Sequence, residues 1–164
     1  MPSYVVEELE KVTGKSASEA IKEMVMKFYE RRQLAVKYLE IFRIALQDFA
    51  MAVELAKKDP RATTLAIAKI ASFLRSSLSI LRQVAYTEKW SAVGIAALVE
   101  LVNSLEKEAL LSSDPYRGSM SLGGLLSLAT ALVALIPAFL PLSEKEYNEL
   151  LNDMETLTEK LRSG

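Results

Sequence analysis

Three observations predict an all-α fold for this chain. No segment sustains the period-two alternation of a half-buried strand, whereas apolar residues recur at steps of three, four and seven over long runs. The strong helix formers Ala, Leu, Glu and Lys are plentiful, while Gly (6) and Pro (5) are few in 164 residues. Where Gly and Pro do fall, with Ser and Asp beside them, they mark the ends of about six helices. The expected architecture is a single helical domain over residues 1–164, a bundle around one long helix at about 17–58. A chain of this length can bury a real core.

The first helix runs from about Ser3 to Thr13, with Val5, Leu9 and Val12 on one face, and Gly14 ends it. Ser16, followed three residues later by Glu19, opens the second as a capping box. From there Ile21, Met24, Phe28, Ala35, Tyr38, Phe42, Ala45, Phe49, Ala52 and Ala56 form a heptad seam, interrupted where Arg31 should be apolar. No Gly or Pro breaks the run before Asp59-Pro60. The helix is therefore either one spine of roughly 60 Å, at ~1.5 Å per residue, or it kinks near Arg31.

Asp59 and Pro60 read as N-cap and first residue of the third helix, which extends to about Ala85. The fourth starts at Thr87 or Glu88, carries Trp90 as a core anchor or interface residue, and ends near Leu111. The loop SSDPYRGS follows, its Tyr116 and Arg117 reading as parts of a plain interhelical turn. Ser143 and Glu146 make a second capping box, and the sixth helix carries Tyr147, Leu150, Met154, Leu157 and Leu161 on one stripe.

The fifth helix lies in a stretch, Ser119 to Ser143, without a single charged side chain. Residues 120–142 approach the ~20 apolar residues of a membrane span. Against a span, Pro137 and Pro141 shorten the regular helix, and the flanking Arg117 and Lys145 do not orient it. A span here would also leave the sixth helix without a partner for its stripe. Gly123, Ser127, Thr130 and Ala134 form a stripe of small residues that permits close approach of a neighbour. The expectation is a buried central helix with another helix against that stripe.

Composition excludes several chemistries. With no Cys and no His, the chain has no thiolate nucleophile, no disulfide and neither of the commonest metal ligands. A four-helix di-iron site needs Glu-x-x-His pairs, and Gly-x-Ser-x-Gly does not occur. TGKSAS at Thr13 to Ser18 resembles a phosphate loop only in part, because Leu9 stands where the Walker pattern requires Gly. No catalytic, metal or cofactor-binding residue is expected, and the chain reads as a non-enzyme. Asn and Gln, three each, are depleted in a manner compatible with a thermophilic source. The first residues lack a basic-then-apolar signal pattern, so the expected location is cytoplasmic.

The most distinctive charge pattern is that of the third helix. From Pro60 to Thr87 it carries Arg61, Lys69, Arg75 and Arg82 and no acid. At ~100° per residue these share a face with Ser72, Ser76, Ser79 and Gln83, opposite Ile67, Ile70, Leu74, Leu78 and Leu81. Cations and hydroxyls suit phosphate oxygens. The expected function is an assembly subunit that contacts nucleic-acid phosphates through those four residues. The alternative is a helical scaffold that self-associates or binds a protein partner, its basic residues paired with acids such as those of the sixth helix. A 51% apolar composition favours a homo-oligomer or protein complex in either case. Membrane attachment through residues 120–142 ranks third.

Overall fold

The structure, a computed structural model, describes residues 1–84, 89–112 and 114–163, the side chains of residues 89–91, 115–116, 119 and 161–163 excepted. The expected helix start at Thr87 or Glu88, and the expected roles of Trp90, Tyr116 and Leu161, lie outside the described residues. Six α-helices and two short 3-10 turns account for the described elements, so the fold is all-α.

α1 (Ser3–Thr13) ends at Gly14, whose φ of 68° is the left-handed C-cap conformation that glycine adopts without steric cost. Ser16 caps α2 (Ala17–Lys58) by accepting from the Glu19 N–H at 3.3 Å, and Glu10 reaches across from α1 to accept from the Ala17 N–H. α2 runs for 42 residues with no break at Arg31. Asp59 then caps a 3-10 turn, Pro60–Ala62, which feeds α3 (Thr63–Val84). α4 (Lys89–Leu111) and α5 (Pro115–Leu135) follow, and a second 3-10 turn, Ile136–Ala138, absorbs Pro137. α6 (Glu144–Ser163) opens on a complete capping box: the Glu146 N–H donates to Ser143 Oγ at 3.1 Å, and the Ser143 N–H to Glu146 Oε1 at 2.9 Å.

α3 is the buried centre. It packs against α2, α4 and α5, and sinks Ala66, Ile67, Ile70, Ala71, Phe73, Leu74, Leu78, Ile80 and Leu81 into the core. The seam of α2 supplies Ala35, Tyr38, Phe42, Phe49 and Ala52 to the same core. Phe42 and Phe73 meet edge to face at 5.5 Å between ring centres, with Tyr38 beside both. The Tyr38 and Ser77 hydroxyls are neighbours in this interior and both buried, neither in hydrogen-bond geometry with a partner. Burial pushes the Tyr38 phenol well above its ordinary range, which neighbouring Ser77 offsets only in part.

Two expectations for the fifth helix are corrected. α5 is not the centre of the bundle: 33% of its apolar run is buried, against 56% for α3. The expectation for the small-residue stripe is only partly met: Gly123, Ser127, Thr130 and Ala134 stay exposed, but the last three form one wall of an open groove whose other wall is the sixth helix, and Tyr147 Oη donates to the Ala134 carbonyl at 3.2 Å. α5 instead buries Ser121, Leu125, Ala129, Leu132, Val133 and Ile136. The close approach occurs at Gly124, where an added Cβ would sit 3.4 Å from Leu105 of α4, while one at Gly123 would meet nothing. The loop before α5 is also shorter than expected. Pro115 takes the first position of the helix, and the Gly118 N–H donates to the Asp114 carbonyl.

Candidate functional site

Arg61, in the 3-10 turn, and Lys69, Arg75 and Arg82 of α3 border one exposed strip, with Lys69 on its α2 side and Arg75 on its α4 side. Arg61 and Arg82 are exposed and Lys69 and Arg75 half-exposed, with Ser72 and Ser79 between them. α6 packs on α5 and α2 and does not cover this strip. The strip is nevertheless not a row of free cations. Arg61 Nε and Nη2 donate to the Asp59 carboxylate at 3.1 and 3.2 Å, which holds Asp59 below its ordinary pKa. Lys69 Nζ lies 3.5 Å from Asp48 of α2. Arg75 Nη2 donates to Glu106 of α4 at 3.1 Å, and its Nη1 to Asn103 at 3.3 Å. Arg82 alone of the four has no ionic partner among the described residues.

These acids come from the cap and from α2 and α4, not from the sixth helix. The acid that α6 does engage is Glu146, and its partner is Arg32. Arg32 Nη1 and Nη2 donate to Glu146 Oε1 and Oε2 at 2.7 and 2.9 Å, and Nη1 donates to the Pro141 carbonyl at 3.0 Å. The guanidinium beside Glu146, with the Ser143 N–H, holds its carboxyl down to about 2. This fork fixes the start of α6 against α2. Arg31 stays half-buried beside Met24 and Phe28, in an open groove whose other wall is Pro137 to Pro141.

Sequence reasoning missed a larger feature. The seam of α2 meets the core only from Leu34 onward. Residues 17–31 run on beyond it, and α1 is tied to them through Glu10 and through the Lys15–Glu23 ion pair. α1 buries Ala20 but leaves Ile21, Met24, Val25, Phe28 and Tyr29 between 40% and 60% exposed. Ile21, Met24 and Phe28, expected in the core seam, are thus outside it. At ~100° per residue, Ile21, Val25, Phe28 and Tyr29 make a second apolar stripe, which Arg32 separates from Val36. Five turns further along, Val25 and Tyr29 give way to Arg43 and Gln47, while Ile21 and Phe28 are matched by Leu39 and Leu46, which pack against the core. That change from apolar to polar was present in the sequence as the signal.

Among the described residues no group of three or more acidic side chains is placed to hold a metal ion. Two helical stretches, Pro60–Val84 and Met120–Ala138, are long and apolar enough to cross a membrane by length and composition. No family model matches the chain, and no curated protein or solved structure is similar to it.

Proposed function

We propose that this chain is a non-catalytic helical assembly subunit that docks exposed apolar helix surface against another protein chain. The observation that carries this reading is the α1–α2 arm. Five large apolar side chains stand together on a part of α2 that α1 and the Pro137 to Pro141 corner border but leave 40% to 60% exposed. Contiguous apolar surface on a folded chain marks a place of interaction. The outward faces of α4 and α5 add Val93, Leu101, Leu110, Met120 and Leu135, which are also exposed.

Contact with nucleic-acid phosphates is supported less well. Arg61, Lys69 and Arg75 already have carboxylate partners, so each would exchange one anion for another. Little net gain follows from such an exchange. A membrane would also cover apolar surface, but the arm mixes acids and bases evenly around its stripe, which gives no attraction to anionic lipid.

The test is a photoreactive residue at Val25, and separately at Leu101, in the cells that make the protein. Illumination should give a discrete protein adduct from at least one site. Absence of an adduct from both, or extraction of the protein only with detergent, would overturn the reading.

A further inference from the structure

We infer that the occupant of the arm is a second copy of this chain, paired arm to arm about a two-fold axis near Val25. The inference rests on the reading of the chain as an assembly subunit and names the partner of its most exposed surface.

The arm is half of a familiar unit. α1 and residues 17–31 of α2 form a two-helix hairpin whose inner contact is small, centred on Ala20. A three-turn helix such as α1 is marginal in water without packing. Two hairpins laid face to face make a four-helix bundle, in which each helix has two neighbours and the stripe becomes interior.

Area supports the pairing. A fully exposed side chain of this size contributes roughly 150–250 Å². Exposures of 40% to 60% at Ile21, Met24, Val25, Phe28 and Tyr29 then leave roughly 500 Å² of apolar surface per chain. Two such faces bury about 1,000 Å² together, the level at which specific interfaces begin.

Charge points to the same occupant. Between Glu19 and Arg31 the arm carries Glu19, Glu23 and Glu30 against Lys22, Lys27 and Arg31, so this stretch is neutral, and Glu7, Glu8 and Glu10 against Lys11 and Lys15 leave the whole hairpin at a side-chain charge of only −1. Two copies can therefore meet with little net repulsion, whereas a strongly anionic or cationic partner gains nothing from this segment. An isologous contact also closes on itself and consumes the stripe in both chains.

Sedimentation velocity on the purified full chain tests this, with V25E/Y29E as the arm variant and L101E, on the outer face of α4, as the control. The wild type and L101E should sediment at twice the 18.2 kDa chain mass, and V25E/Y29E at the mass of one chain. The arm side chains are exposed, so the helical circular dichroism of V25E/Y29E should match the wild type. The chain has no cysteine, so V25C provides a second measurement: mild oxidation should give a disulfide-linked dimer, and L101C should give none. A wild type that is monomeric at about 100 µM, or an oligomer unaffected by V25E/Y29E, would overturn the inference. A monomer in purified form that still gives a Val25 adduct in cells would overturn self-pairing and leave the assembly reading intact.

Discussion

Arg32 is held by three acceptors although its own helix offers it no acid three or four residues away. Its reach to Glu146 and Pro141 therefore ties the second helix to the corner that precedes the sixth. Glu146 has an ordinary pKa of 4.5 and is held at about 2 in the folded chain. A depressed carboxyl contributes stability that is complete above the ordinary value and is lost as pH falls toward the folded one. E146Q keeps the capping geometry but not the charge. Its deficit should be about 1 kcal/mol at neutral pH, constant down to roughly pH 5 and fading toward pH 2. Chemical denaturation at stepped pH measures it, and a deficit independent of pH would contradict the ion-pair account. The Tyr38 and Ser77 hydroxyls make the opposite case, since both are buried without a partner. Replacing the pair, as in Y38F/S77A, should leave the protein as stable or raise it by up to about 1 kcal/mol. A loss of that size in the thermal midpoint would show that the pair is bonded.

Each helix shows how far sequence patterning reaches. The ends of α1 and α2 were legible because Gly14, Ser16 and Asp59-Pro60 impose them through backbone geometry and capping. The buried side of α3 was legible because its charges occupy one strip and its large aliphatics the other. α5 offered no such contrast. With no charge on it after Arg117, every side looked apolar, and the small-residue stripe was the only asymmetry available. The side it buries runs through Ser121, Leu125, Ala129 and Leu132 instead, with Gly124 against Leu105 at its edge. A pair of substitutions reads this out. G123L should be neutral or slightly stabilising, because nothing lies within 4 Å of its Cβ and leucine is the better helix former. G124L must push Leu105 aside and should cost about 1–3 kcal/mol. Equal effects would mean that α5 is rotated from the orientation described.

At the scale of the whole molecule, the balance between charge and apolar surface decides the functional reading. The basic strip was visible in the sequence, but its partners were not, because Asp48, Asp59 and Glu106 come to it from a cap and two other helices. The arm was hidden for a related reason. Apart from the change from Val25 and Tyr29 to Arg43 and Gln47, a seam that continues past the end of the body reads the same as one that stays within it, and the fold reveals where the neighbours stop. With three of its four cations engaged, the strip should not retain a labelled duplex at about 50 mM salt and about 10 µM chain. Retention that weakens in R75E and R82E would restore the phosphate reading. The central claim is that residues 17–31 are covered by another copy, and amide hydrogen exchange as a function of concentration addresses it most directly. Between about 1 and 100 µM chain, protection of residues 21–31 should rise at least tenfold while that of α3 stays constant. Exchange in the arm that does not change with concentration would contradict the account.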